Sequence, residues 1–308
     1  MSKKKIFVTG GSGFLGRHLI PVLKKKYLVF APSSKEINLM NFNNLKKINK
    51  NFDEIYHLAT WTQAGDFCLK NQGAQWINNQ IMNTNVIKWW SESQKKAKLI
   101  FIGSSCCYSE KGNFKEDSFI YDISHPSLES YAMTKKMLAQ GASACADQYG
   151  LKWLCVVPAT LYGTNYHTDN RQSHFIFDLV KKILRGKFYN KKIILWGNGE
   201  QQREIMHVDD FVKNSLLVNK KINNQIVNVG HIKDYSIQKF AKIICEIVGY
   251  DEKNIIYDTS KYVGVKKKKL NIQKIQKIIP SYKKNLIDIK LGLKNVVAWY
   301  IQNNYYND

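Results

Sequence analysis

The chain has 308 residues, 44% hydrophobic and 23% charged, enough for one large domain or a main domain with a smaller lobe, and unlike a disordered, collagen-like or disulfide-scaffolded chain. Its net charge of +23 first suggests nucleic acid, but only four of the 47 basic residues are arginine (17, 171, 185 and 203), and the lysines are scattered, with Lys266–Lys269 the only run of four. Binding a nucleic-acid backbone needs a clustered basic face, so no nucleic acid is expected as partner, and a small polyanionic substrate suits the charge equally well.

No apolar run approaches the roughly 18 residues of a membrane span. Gly10, Gly11, Gly13 and Arg17 interrupt the apolar stretch after Lys3–Lys5 too early for a secretion signal. Six cysteines (68, 106, 107, 145, 155 and 245) show neither a CxxC pair nor a framework spacing. The expectation is a soluble cytoplasmic protein with no membrane association and no metal site.

Short apolar runs at Ile6–Val8, Leu28–Ala31, Ile55–Leu58, Leu99–Ile102 and Trp153–Val157 read as buried parallel strands. Phe14–Lys26, Ile77–Ser91 and Tyr131–Tyr149 carry apolar residues at helical spacing between them. That alternation predicts an α/β fold, a Rossmann doubly wound parallel sheet over residues 1–163. From 164 to 308 the pattern loosens. Helices over His174–Leu184, Val208–Val218, Ile237–Val248 and Ile287–Gln302, with a strand at Ile193–Trp196, describe a smaller C-terminal substrate-binding lobe, some of whose segments return to the first domain.

The first strand runs into Thr9-Gly10-Gly11-Ser12-Gly13-Phe14-Leu15-Gly16. Gly10 permits a tight turn, Gly13 lets backbone approach a pyrophosphate, and Gly16 lets the following helix sit close on the sheet, its N-terminus facing the phosphates. The GxxGxxG spacing points to short-chain dehydrogenase/reductases. An NAD enzyme usually presents a carboxylate at the end of the second strand. Here Ser33, Ser34 and Lys35 precede the first carboxylate, Glu36. Hydroxyls and an ammonium favour NADP, with NAD as the alternative.

Tyr131 and Lys135 are four apart at the start of a helix, hence on one face. The ammonium should favour the phenolate and bring the phenol toward working pH. After the fourth strand, Gly103-Ser104-Ser105-Cys106-Cys107-Tyr108 supplies a serine, Ser104, for the same reacting oxygen.

The glycine loop, His57-Leu58-Ala59, Ser104, Tyr131/Lys135 and Arg203–Asp210 together resemble extended short-chain dehydrogenases acting on nucleotide sugars, the epimerase/dehydratase family. Within it, Glu36–Leu39, Gly103–Cys106, Pro158–Gly163, Ser173-His174, Trp196–Gly199, Asn228–Gly230 and Ser260-Lys261 are similar to the GDP-L-fucose synthases. The resemblance implies a nucleotide-diphosphate sugar as substrate, a homodimer, and further cofactor contacts from Asn38, Leu39, Ala59 and Pro158. It also implies that Cys106 and His174 are the base and acid of an epimerisation, and that Asn79, Thr160, Lys182, Trp196, Arg203 and Lys268 lie toward the substrate.

The resemblance has gaps. The loop Gly10–Phe14 has the general epimerase form. The stretch from Gly163 to His174 lacks the usual proline, and Trp61–Gln75 lacks a glycine pair. Cys106-Cys107 stands where a 4,6-dehydratase needs Asp-Glu. The expected activity is NADP-dependent reduction of a 4-keto nucleotide sugar, with or without 3,5-epimerisation. An NAD-dependent epimerase that retains its cofactor is the alternative.

Overall fold

The computed structural model describes residues 3–169, 171–261 and 265–307. The first part of the chain runs β1 (Lys5–Thr9), α1 (Phe14–Lys24), β2 (Leu28–Phe30), α2 (Phe42–Lys46), β3 (Glu54–His57), α3 (Phe67–Lys70) and α4 (Gln72–Ser93). It continues through β4 (Lys98–Ile102), α5 (Glu129–Tyr149) and β5 (Trp153–Pro158). Then come β6 (Thr160–Tyr162), α6 (Phe175–Tyr189), β7 (Ile193–Trp196), β8 (Gln202–Arg203), β9 (Ile205–His207), α7 (Val208–Asn219) and β10 (Gln225–Val229). The last elements are β11 (Tyr235–Ser236), α8 (Ile237–Val248), β12 (Ile255–Asp258), β13 (Lys267–Lys268), α9 (Gln273–Ile278) and α10 (Ile289–Gln302).

The central sheet has six parallel strands in the order β10-β5-β4-β3-β1-β2. Each inner strand is covered on both faces, which is why Ile6-Phe7-Val8 and Leu154–Val157 are continuous apolar runs rather than alternating ones. The chain leaves β1 to one side for β2 and returns on the other for β3. That reversal opens a crevice at the carboxyl ends of the strands. The glycine loop, Ala59, Ser104 and Pro158 all follow strand ends on that edge.

Two apolar clusters hold the molecule. The first packs Trp89 and Trp90 of α4, Leu138 and Ala142 of α5 and Val212 and Val218 of α7 against the sheet. The second gathers Phe177 and Ile183 of α6, Phe240 and Ile244 of α8 and Leu293 and Tyr300 of α10. The sixth strand, β10, comes from the late part of the chain, and its five residues carry too little pattern to be read in advance. The helix expected from Ile77 starts at Gln72 instead, because Gln75 and Asn79 turn polar side chains inward and hide the apolar period.

Candidate active site

The glycine loop is shaped for a phosphate-bearing ligand. Gly10 has φ +68°, and a Cβ there would stand 2.6 Å from Ala59 N. A Cβ on Gly16 would stand 2.5 Å from Gly11 O. Gly13 occupies the N-cap of α1 with no side chain capping it, and no carboxylate lies in the first turn. The free N–H groups and positive dipole end therefore face the crevice, which fits a dinucleotide pyrophosphate. Phe14 turns its ring away, edge-on to Tyr166 and Phe177, and Leu15 packs on the first core. Both can offer only backbone to a ligand.

After β2 the chain is tied by Glu36, whose carboxylate accepts from Ser33 N (2.7 Å) and Ser33 Oγ (2.8 Å); these bonds lower its pKa. Ser33 is thus already engaged. The exposed Ser34 and Lys35 remain to meet a 2′-phosphate. Asn38 Oδ1 accepts from Met40 N, and Leu39 is buried with its carbonyl held by Asn85 Nδ2 at 2.7 Å. These two residues set the loop's shape.

Ser104, Tyr131 and Lys135 come together. Ser104 caps the turn Ser105–Cys107, its Oγ accepting from Cys106 N at 3.2 Å, and the nearby Ser104 hydroxyl draws the Tyr131 pKa down slightly. Lys135 Nζ stands 5.8 Å from the Tyr131 ring centroid. The phenol pKa does not move in the expected direction. Burial, and then the thiols of Cys106, Cys107 and Cys68, push it up; burial also brings Lys135 down to about 8. Desolvation outweighs the distant ammonium. Tyr131 is therefore a protonated phenol at neutral pH, the form a proton donor needs.

A buried polar chain, invisible in the motif, connects this helix to the glycine loop. Ala59 N donates to Thr9 Oγ1 (3.2 Å), and Thr9 Oγ1 lies 2.8 Å from His57 Nδ1. His57 Nε2 lies 3.0 Å from Asn83 Oδ1, and Asn83 Nδ2 donates to Thr134 O (3.2 Å). An amide oxygen can only accept, so Nε2 carries the proton and Nδ1 accepts from Thr9. Burial lowers the His57 pKa to about 4. Between 26 and 51 residues of chain separate these partners, and only the fold joins them.

On the other side of the crevice, Cys106 lies beside Lys268, whose Nζ donates to Cys106 Sγ at 3.4 Å. His174 precedes α6 as its N-cap. The residue is exposed, and desolvation by the atoms around it, with the Lys268 charge, pushes its pKa down. Arg203 is half-buried, with Nη1 donating to Gln202 O (2.9 Å) and Val265 O (2.7 Å), which leaves the rest of the guanidinium for an anion. The Trp196 ring is 61% exposed, a free stacking face. Thr160 opens β6 one residue past Ala159, beyond Pro158 at the end of β5. A cleft of about 700 Å³ runs along Gln202 and Lys266, and none of Ser104, Tyr131 and Lys135 lines it.

One expected substrate contact is corrected, and a second already has a partner within the chain. Asn79 is 2% exposed and spends its amide on Thr60 Oγ1, Trp61 N, Trp61 O and Gln75 O. It pins a loop and has no face left for a ligand. Lys182 is ion-paired to Asp178 one turn earlier on α6, at 3.0 Å. Among the described residues, no cluster of His, Cys, Asp and Glu is placed to hold a metal.

The family model for the NAD dependent epimerase/dehydratase family matches residues 6–230. GDP-L-fucose synthase of Escherichia coli (strain K12) is 27% identical over 323 residues, covering 98% of each chain. A probable GDP-L-fucose synthase 1 of Oryza sativa subsp. japonica is 30% identical over 311 residues, covering 97% of this chain and 92% of its own. Among solved structures, a GDP-L-fucose synthetase from Naegleria fowleri bound to NADP superposes with a TM-score of 0.84 at 20% identity, over 99% of this chain and 96% of that one.

Proposed function

We propose, from the premise that the chain belongs to the NAD dependent epimerase/dehydratase family, that it is an NADP-dependent reductase of a 4-keto nucleotide-linked sugar, of the GDP-L-fucose synthase kind. The observation that carries this reading is Tyr131. It is a phenol that desolvation keeps protonated, beside Ser104 and with Lys135 Nζ 5.8 Å from its ring, on the same crevice as an uncapped, glycine-lined helix N-terminus.

Gly10–Gly16 would hold NADPH, with Ser34 and Lys35 toward its 2′-phosphate, and the chemistry it would supply there is a hydride for the sugar's carbonyl carbon. Tyr131 gives its proton to the carbonyl oxygen, and Ser104 holds that oxygen. The Lys135 ammonium faces the phenolate left behind, so it offsets charge at the moment charge develops. Arg203 offers the free part of its guanidinium to the diphosphate, and Trp196 offers its ring to the base.

Epimerisation is assigned to Cys106 and His174. A carbon-bound proton next to a ketone is acidic enough for a thiolate to remove, and a donor on the opposite face returns it with inverted configuration. With its pKa pushed down, His174 rests as an uncharged imidazole at neutral pH, so it takes up a second proton before returning one to the sugar carbon, and ends the step as neutral imidazole again. We place the NAD(P)-binding Rossmann domain at residues 1–163 and the substrate-binding lobe mainly at 164–308. Exposed Trp76, Ile77 and Ile81 of α4 and Met133 and Met137 of α5 are the face for a second copy in a homodimer. Among the described residues no helix is long and apolar enough to cross a membrane, and all six thiols are free, which supports a reducing cytoplasmic compartment.

The test is direct. The protein is mixed with NADPH and a panel of GDP- and other nucleotide-linked 4-keto sugars, and the products are identified. Stoichiometric NADPH oxidation with a new C4 hydroxyl is expected. Turnover without added NADPH would replace this reading with that of an epimerase retaining its cofactor.

A further inference from the structure

Lys268 is one of the two residues of β13, a strand defined by its pairing with Gln202–Arg203 of β8. Charge and spacing give it nothing that its neighbours in the run Lys266–Lys269 lack, and the family resemblance alone singles it out. The strand separates them, because successive side chains of a strand point to opposite faces. Lys267 and Lys269 both turn to Asp234, at 3.5 and 2.8 Å. Lys268 turns the other way, into the crevice, and donates to Cys106 Sγ at 3.4 Å across 162 residues of chain. Both partners are only partly exposed.

We propose that Lys268 is a positioning residue for the epimerisation base, pairing its ammonium with the Cys106 thiolate and holding that sulfur toward the sugar. This rests on the assignment of Cys106 as base given above. The groups that face Cys106 are otherwise uncharged at neutral pH. Tyr131, Cys107 and Cys68 are each pushed up by burial and stay protonated. His174, on the far side of Lys268, is pushed down and stays neutral. Lys135 lies beneath the Tyr131 ring. Lys268 is therefore the charge that meets this sulfur directly, and a thiolate next to an ammonium is the nucleophilic and basic form of cysteine.

In the step itself the C–H bond next to the ketone breaks and an S–H bond forms. The electron pair of the C–H bond passes into the enolate, and Lys268 keeps its proton throughout. The pairing also takes Lys268 out of the set that grips the diphosphate, leaving that task to Arg203.

Alkylation of Cys106 reads the pairing without any substrate. The full chain is treated with iodoacetamide between pH 6 and 10, and modification of the Cys106 peptide is followed by mass spectrometry in the wild type and in Lys268→Met, Lys268→Gln and Lys268→Arg. The uncharged variants should lose at least tenfold in rate at pH 7 and recover at high pH, and Lys268→Arg should restore most of the loss. Two neutral variants guard against one that fails to fold. Rates that match the wild type in either folded neutral variant would overturn the proposal. So would an arginine variant as slow as the neutral ones, since that would mark a purely structural role. A Lys268-dependent alkylation with no deuterium uptake at C3 or C5 of the sugar would instead overturn the epimerisation reading and leave the pairing standing.

Discussion

The two walls of the crevice are built differently. The cofactor wall is contiguous in sequence and reinforced from below: Gly10 to Gly16 lie within seven residues, and the Thr9–His57–Asn83–Thr134 chain ties that loop to the catalytic helix with buried hydrogen bonds. The sugar wall is assembled from single residues at 106, 174, 203 and 268, on a turn, a helix start and two short strands. Its contacts are solitary and partly exposed. A wall of the first kind loses stability when one member is removed; a wall of the second kind loses one chemical capability and stays folded.

The sharpest separation comes from Tyr131→Phe, which should keep NADPH binding while reduction falls by roughly 10²–10⁴-fold, the range for losing a positioned proton donor. Stopped-flow reduction with parallel fluorescence titration measures both; full activity would remove Tyr131 from the mechanism.

Asn83→Leu attacks the buried chain. It strands the buried His57 Nε2–H, worth about 1–3 kcal/mol when left unpaired, so urea midpoints should fall clearly. Lys182→Met, removing a half-exposed ion pair on α6, the helix that His174 of the sugar wall begins, should cost no more than about 0.5 kcal/mol. Similar losses in the two variants would erase the contrast.

The same chain should make stability depend on pH. His57 is neutral in the fold down to about pH 4, while in the unfolded chain it takes a proton near 6.5. The unfolded state then binds more protons, so stability should be lost as pH falls from 6.5 toward 4, by roughly 3 kcal/mol at most. His57→Gln should flatten that slope in urea titrations taken at each pH. An unchanged slope would assign the acid sensitivity elsewhere.

Cys106→Ser tests the sugar wall. Deuterium exchange into C3 or C5 of the keto sugar should fall at least tenfold, while hydride transfer to an already epimerised ketone stays within a few-fold, because Ser104, Tyr131 and Lys135 are untouched. Exchange at the wild-type rate would leave Cys106 as a packing residue.

The smallest effect belongs to the rim of the cofactor wall. Lys35→Ala should narrow the preference for NADPH over NADH by several-fold, on the scale of one exposed charge contact of about 1 kcal/mol. Tighter NADH binding by the wild type would reverse the reading of the loop after β2.

What could be read in advance follows the reach of the forces involved. The sequence by itself determined the parallel strands, the glycine loop and the Tyr131–Lys135 pair. In each case the signal lies within a few adjacent residues, where strand and helix periodicity or a single backbone turn dictates geometry. The tertiary structure alone decided that β10 joins the sheet and that Asn79 pins a loop instead of meeting substrate. It also decided that the Tyr131 phenol is pushed up rather than down, and that Lys268 rather than Lys267 or Lys269 meets Cys106. Those outcomes depend on burial and on which distant partner a side chain finds. Desolvation and strand alternation set both, and neither is present until the chain has closed on itself.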